Sequence, residues 1–506
     1  MRRPTFLTAL GALAAIAAFG GVASAAVQAP DGRAVTSAGT NACTVTDPAT
    51  GNVVYANSIV HCYTPQEIAG NYGVDAVHQQ YKGEGQTIVL VDSYGSPTAA
   101  ADLQKFYETF YKQAGYPAPS FEQVCSGRCH DYNNTVHGAN GQSGPAGAAG
   151  WAGEANLDIE WAYAMAPAAH IVLLAVPPAE TEGVQGFPNL FKAISDAIDR
   201  YPAGTIFSQS FGVTEETFGG AAATQTAKFD AVYKKGNAKG DTFLASSGDD
   251  GSFGVAKQHR DTGAYDHPTV GWPASSPYVT AVGGTQLQSG WTWNPTTDTP
   301  FTADGAADMA YFGWTDGGNT EAVWNESWLP AATGGGPSAI YPRPSWQSSV
   351  ASRIPGDHRG VPDVAWNAAV NGGVLVYTSF FPDGNRVGWH VYGGTSASSP
   401  QVAGVLALAN QARAAAHKAP LGQVNPALYA IGGTNAAAFR DITPVHEGTA
   451  ASGQLVDNRL WDYIADGRPV QPDPVSGWPV RTGWDLTTGF GTPHAASLVS
   501  ALVAQP

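Results

Sequence analysis

Positive charge is scarce in this sequence: 25 Lys+Arg stand against 41 Asp+Glu, a net charge of −16 over 506 residues. That balance argues against nucleic acid or an anionic membrane as a partner. Charged residues of both signs make up only 13% of the chain, so the fold has little charge to lose in acid. Beyond the first 25 residues no apolar run is long enough to span a bilayer. Internal repeats and low-complexity linkers are also missing, which leaves one large domain as the default reading. With 43% hydrophobic residues the chain can bury a sizeable core, which argues against wholesale disorder.

The opening MRRPTFLTALGALAAIAAFGGVASA joins a basic start and an apolar run to the small residues Ala23-Ser24-Ala25, the pattern of a secretory signal cleaved before Ala26. An extracellular location is expected. Arg2-Arg3 and Phe6-Leu7 faintly match a twin-arginine signal, but their spacing favours the ordinary export route. The four cysteines fit an oxidising compartment. Cys43 and Cys62 bracket a short N-terminal segment, and Cys125 and Cys129 a tight loop, so pairs 43–62 and 125–129 are the simplest of three connectivities. A cysteine metal site is the competing reading.

From about residue 86, short β-branched apolar runs alternate with helical patterns. The runs are TIVLVDS (87–93), HIVLLAV (170–176), TIFSQSFG (205–212), TFLASSGD (242–249) and SPYVTAVGG (276–284). Near-continuous apolar runs of this length suit strands buried on both faces of a parallel sheet. Helical spacing in SPTAAADLQKFYETFYKQAG, EANLDIEWAYAMA, PNLFKAISDAIDRY and AATQTAKFDAVYKKG fills the gaps. The alternation predicts an α/β fold with a doubly wound, mostly parallel central sheet and helices on both faces. Residues 286–335 read as loops or a surface insertion; VPDVAWNA (361–368) and GGVLVYTSF (372–380) resume strand character.

GGTSASSP (393–400) runs into the buried helix pattern QVAGVLALANQARAA, which places Ser396 as a nucleophile at a helix start. Such a serine needs a base, ordinarily a histidine held by a third group. Asp92 in IVLVDSYG fits the acid of a subtilisin-like order, but His137 in TVHGANGQ lacks the HGTHVAG context and leaves that reading incomplete. The segment GEANLDIEW offers another base: Glu154 and Asp158 are spaced i, i+4 and share one helix face beside Leu157, Trp161 and Met165, while Glu160 points elsewhere. By itself this pair also reads as a solvated acidic turn favoured by the helix dipole.

The ordered set GEANLDIEWAYAMAP, SQSFG, ASSGDDG and GGTSASSP, with Tyr63-Thr64-Pro65-Gln66-Glu67-Ile68, TGGGPSAIYPRPSWQ and VPDVAWNA, resembles the sedolisin (serine-carboxyl peptidase) family, which is similar to subtilisin in fold. The resemblance spans residues 62–503. It implies that 62–506 is the catalytic domain with a calcium region at its C-terminal end, after a short extension at 26–61 where the family usually carries a long prodomain.

In that family a glutamate acts as general base, and the matching residue is Glu154. Asp158 orients it and shares its proton, Asp249 donates to the oxyanion with Asp250 as the rival, and Ser396 attacks. The resemblance also makes Ser208, Ser210, Gly212, Gly334 and Gly335 walls of a groove for an extended peptide. One structural calcium ion (Ca2+) would be held by the carboxylates of Asp441 and Asp485 and the carbonyls of Ile442, Arg481 and Gly483. Arg481 stands where the family usually has glycine, which raises the question of its backbone conformation. Acid-pH hydrolysis of protein or peptide substrates by a monomer is expected, with endo- and tripeptidyl cleavage both open. The rivals are a neutral protease using Asp92, His137 and Ser396, and a secreted binding protein that kept the fold without activity.

Overall fold

The structure is a computed structural model that describes residues 27–28, 43–46, 51–57, 60–127, 145–176, 184–254, 265–289, 301–303, 306–309, 320–326, 331–380, 387–446, 455–460, 462–463, 469–470 and 475–506. The leader at 1–25, Cys129 and His137 lie outside the described residues. Among the described residues no helix is long and apolar enough to cross a membrane.

The chain begins with β1 (Val27–Gln28), a hairpin of β2 (Cys43–Thr46) and β3 (Val53–Asn57), and β4 (Cys62–Tyr63). Cys43 and Cys62 form a disulfide, one of the two pairings that spacing favoured. Helix α1 (Pro65–Tyr72) starts at a capping box: Thr64 accepts from the Glu67 amide, and the Glu67 carboxylate accepts from the Thr64 amide at 2.8 Å.

The central sheet then assembles from β5 (Thr87–Asp92), β6 (Ser120–Cys125), β7 (His170–Ala175), β8 (Ile206–Gln209), β9 (Thr242–Ser246), β10 (Thr280–Leu287), β11 (Glu321–Val323) and β12 (Val364–Asn367). Its order is β11-β10-β9-β8-β5-β7-β6, with β12 also paired to β10. Every pairing is parallel except β10 with β11. The expected fold class is borne out. Winding reverses at β5: β6 and β7 lie on one side of it, β8, β9 and β10 on the other, which opens a crevice beyond the carboxyl ends of β5 and β8.

Helices α2 (Ala99–Phe110), α3 (Pro145–Met165), α4 (Phe187–Arg200), α5 (Ala222–Lys239) and α6 (Thr395–Ala415) cover both faces. Alternate residues of each strand reach opposite cores. Ile88, Leu90, Ile171 and Leu173 meet Phe106, Trp161 and Leu406. Val89, Val91, Val172 and Leu174 meet Leu190, Ile194 and Tyr233. That is why these strands carry continuous rather than alternating apolar residues.

Strands β13 (Gly373–Thr378) and β14 (Gly388–Gly393) leave the central sheet and form a second one, in the order β1-β14-β13-β4. Part of the region expected as loops, 320–335, contributes strand residues at 321–323, 325–326 and 331–332. Helix α3 begins earlier than its apolar spacing predicts, at Pro145 rather than near 154.

Candidate active site

Residues 151–165 of α3 are buried without exception, so this helix runs through the core. Its polar side chains are fastened to the second sheet. Trp161 Nε1 donates to the Leu375 carbonyl at 2.9 Å, Asn156 Nδ2 to the Tyr377 carbonyl at 3.1 Å, and Glu160 accepts from the Tyr377 amide at 3.0 Å. On another side α3 meets α6 across Gly404, where a Cβ would lie 2.4 Å from the Met165 Cβ. Gly153 faces Tyr392 of β14, whose hydroxyl a Cβ there would approach to 2.6 Å. The turn that carries Glu154 therefore lies against the strand leading into Ser396.

Glu154 is 1% exposed and Asp158 0%, which removes the reading of a solvated acidic turn. Asp92, the last residue of β5, joins them: one carboxylate oxygen from each of the three lies within 4.8 Å of the others. Neither oxygen of Asp92 has a hydrogen-bond partner among the described residues, and burial pushes its carboxyl up to about 8. Three acids this close cannot all ionise, so the cluster keeps protons that isolated carboxyls would lose. Ser210, just past β8, donates to both oxygens of Asp158 at 2.9 and 3.0 Å. Sequence reasoning gave Asp92 to the rival histidine arrangement and Ser210 to the groove wall. The structure brings both to the Glu154/Asp158 pair, and only Asp92's place at a strand end signalled it.

Asp249 follows β9 and reaches the turn that starts α6. Its Oδ1 accepts from the Thr395 amide at 2.8 Å and from Thr395 Oγ1 at 2.7 Å, one residue before Ser396. Thr395 Oγ1 in turn accepts from the Gly248 amide at 3.1 Å. Asp249 Oδ2 is buried with no hydrogen-bond partner among the described residues, and burial pushes the carboxyl up to about 7. With both donors on Oδ1, a proton on Oδ2 is left free to point at a bound substrate. Asp250 is partly exposed and bridges to Ala332.

The glycines at 334 and 335 serve close backbone packing. A Cβ on Gly334 would lie 2.2 Å from the Ser247 carbonyl oxygen, and one on Gly335 2.1 Å from that of Leu486. The Gly334 amide donates to the Gly248 carbonyl at 2.7 Å, which pins the loop holding Asp249. Gly212 packs likewise against the Trp272 carbonyl, 2.9 Å from the position of a Cβ. Ser208 is buried, and its hydroxyl bonds that of Ser399 at 2.8 Å, tying β8 to α6.

At the C-terminal end the segments around 441 and 485 meet. The Gly483 amide donates to Asp441 Oδ2 at 2.9 Å and the Arg481 amide to Asp485 Oδ2 at 2.8 Å. Asp485 Oδ1 accepts from the amides of Thr487 and Thr488 at 3.0 and 2.8 Å. Ile442 is buried beside them. Burial raises both carboxyls above their usual range. Gly483 has φ +77°, whereas Arg481 is not among the positive-φ residues, so its side chain costs the loop nothing. The two carboxylates and neighbouring carbonyls are the donor type a hard cation takes. Cys125, at the end of β6, is disulfide-bonded.

Buried acids also set how stability follows pH. Asp92, Asp249, Glu215 and Asp241 are pushed up to about 8, 7, 7 and 6 by burial. Unfolded, each titrates near its ordinary value of about 4, so above that pH the native state binds more protons and stability falls as pH rises. Buried His78, whose affinity for a proton is lowered, works the opposite way below its ordinary value, as do Glu84, Glu108, Glu122 and Asp266, whose carboxyls are lowered but lie at or near the surface, where solvent screens the effect. The thermal midpoint of the Ser396→Ala protein, which removes self-digestion from the measurement, should be higher at pH 4.5 than at pH 7.5. Equal midpoints, or a higher one at pH 7.5, would show that these acids are not held neutral in the fold.

Residues 132–425 match the Subtilase family profile. Kumamolisin of Bacillus sp. (strain MN-32) is 32% identical over 453 residues, covering 87% of this chain and 64% of that protein. Tripeptidyl-peptidase 1 of Homo sapiens is 29% identical over 367 residues, covering 69% and 52%. The chain thus spans between half and two thirds of the length of these relatives. Among solved structures, Pseudomonas sedolisin (serine-carboxyl proteinase), complexed with two molecules of pseudo-iodotyrostatin, superposes with a TM-score of 0.60 at 25% identity, covering 87% of this chain and 98% of that one. The chain belongs to the subtilase family, within its sedolisin, or serine-carboxyl peptidase, branch.

Proposed function

We propose that this protein is an exported peptidase that hydrolyses peptide bonds in acid through a Ser396 acyl-enzyme. The observation that carries the reading is the buried carboxyl cluster in which Glu154 and Asp158, on the helix packed against α6, meet Asp92 at the end of β5. Glu154 takes the Ser396 proton as the hydroxyl attacks the substrate carbonyl and returns it to the leaving amine. Asp158, held by Ser210, fixes Glu154 and shares its proton. Asp249, protonated on Oδ2, donates to the developing oxyanion, where one donor is worth about 10² to 10³ in turnover. A carboxylate base stays usable at a pH where histidine is already charged. The disulfide between Cys43 and Cys62 is in keeping with export.

This scheme predicts a bell-shaped pH profile for peptide hydrolysis. Activity is lost on the acid side as the Glu154/Asp158 pair takes up its second proton. It is lost again as pH rises through about 7, when Asp249 ionises and stops donating. Ser396→Ala abolishes cleavage, and Glu154→Gln lowers kcat by about 10² to 10⁴. Asp249→Asn, which donates at any pH, extends activity toward higher pH. Full activity of Glu154→Gln, or an unmoved upper limb in Asp249→Asn, overturns the assignment.

Asp92→Asn separates this scheme from an Asp/His/Ser one. Here Asp92 is neutral in the working range, so the amide replaces it with a loss of under about tenfold in kcat. Were Asp92 the charged partner of a histidine, the same change would cost about 10⁴. The kcat of the variant at pH 4.5 to 5 decides between the two.

The loop around Asp441 and Asp485 holds one structural calcium ion, through these carboxylates and the carbonyls of Ile442, Arg481 and Gly483. Removing an ion present at about 100 times its Kd costs about 2.7 kcal/mol. A chelator should therefore lower the thermal midpoint, added calcium restore it, and Asp485→Asn abolish the response. A midpoint indifferent to chelator refutes the site.

A further inference from the structure

Strand β14 feeds the candidate nucleophile: Gly393 ends the strand and Ser396 lies in the first turn of α6. One side of β14 pairs along its length with β13, from Val374↔Tyr392 to Thr378↔Gly388. Its other edge is covered at the Ser396 end by β1, antiparallel, with Val27 opposite Gly393 and Gln28 opposite Tyr392. Among the described residues only β1 pairs with this edge at the last two residues of β14, and an open strand edge accepts an extended peptide through backbone hydrogen bonds.

The polarity of β1 is informative. Strand β14 runs toward Ser396, so its antiparallel partner runs away from it. In a peptide cleaved at Ser396, the leaving-group side begins at the scissile bond and runs away from the serine in the same sense. Val27 stands opposite a residue three positions before Ser396, and each residue spans at most about 3.3–3.6 Å. The paired positions thus lie within two or three residues of the scissile bond of any substrate on this edge.

Resting on the serine-carboxyl reading, we propose that residues 27–28 are a self-inhibitory strand. They occupy the β14 edge that receives the leaving-group side of a peptide substrate, and the substrate must displace them. Two residues alone make a weak contact, since each hydrogen bond nets only about 0.5–1.5 kcal/mol. Covalent attachment makes the difference. Residues 29–42 connect β1 to Cys43, whose disulfide to Cys62 anchors that end on β4, a strand of the same sheet. As part of the same chain, the strand competes with a substrate intramolecularly rather than by diffusion from solution. Weakly bound peptides are held off, while peptides that also fill the acyl side of the cleft displace it.

The experiment removes residues 26–42 and keeps the Cys43–Cys62 bond. For a peptide extending to both sides of the cleaved bond, KM should fall about three- to tenfold with kcat unchanged, because only ground-state competition is relieved. Fluorescein-labelled AVQAPDGR, the sequence of residues 26–33, should bind the Ser396→Ala form of the shortened protein, and bind the Ser396→Ala full chain several-fold more weakly by anisotropy. Should the deletion fail to fold, Val27→Pro in the full chain, at the position opposite Gly393, disrupts the two-residue strand and is expected to lower KM in the same direction. Equal KM values, together with equal or absent peptide binding in the two forms, overturn the proposal. Absence of hydrolysis by every form would instead sink the peptidase reading, and anisotropy would still decide whether the edge takes the strand.

Discussion

Three carboxyl groups in one water-excluded volume set the terms for the rest of this molecule. Asp92 lies at 0%, Glu154 at 1% and Asp158 at 0% exposure, with an oxygen from each within 4.8 Å of the others. A second negative charge in such a space meets both desolvation and like-charge repulsion, so the cluster is stable only with protons shared among its members. Desolvation is the cause that raises Asp92. The surroundings can be read as what is needed to keep the three groups from escaping to solvent.

That confinement is the work of two helices and two sheets. Helix α3 is bolted to β13 through Asn156, Glu160 and Trp161, so Glu154 and Asp158 cannot rotate outward. Helix α6 is fixed to the central sheet by Ser208 with Ser399 and by Gln401, which accepts from Trp366 Nε1 at 2.9 Å. Glycines at 153 and 404 let β14 and the two helices approach to distances a Cβ would forbid. Asp249 then couples the end of β9 to the turn of α6 through Thr395, so Asp249 and Ser396 are held as one piece.

Motifs confined to one turn or one strand were legible in the sequence. GEANLDIEW and GGTSASSP each encode local geometry, and the continuous apolar runs at 87–93, 170–176 and 242–249 announce strands buried on both faces. What escaped depends on partners distant along the chain. Asp92 looked like half of a histidine pair because its neighbours, 62 and 66 positions on, become neighbours only when β5 and α3 pack. Glu160 does point away from the pair, to the Tyr377 amide, but that it is fully buried there was not legible, because only packing shows that the helix has no solvent face. SFEQVC was not recognised as a strand: at the sheet edge β6 stays partly exposed, and its polar residues break the apolar run. The two-residue strand β1 has no pattern at all, since only pairing with β14 makes it a strand.

Stability and chemistry draw on the same protons here. In the proposed scheme Asp249 must be neutral to donate, and neutral is also the form its burial favours. Asp92 shares this property, so protonation that completes the site removes a charge the fold pays to bury. A buried histidine base would set the two requirements against each other, because acid would charge it where the interior resists charge. On the proposed reading, carboxyl groups in place of a histidine change more than the pH at which a base works: they align the pH that stabilises the site with the pH at which the site is complete. The alignment fails only on the far acid side, where Glu154 and Asp158 take up a second proton and leave Ser396 without a base while the fold loses nothing from the cluster.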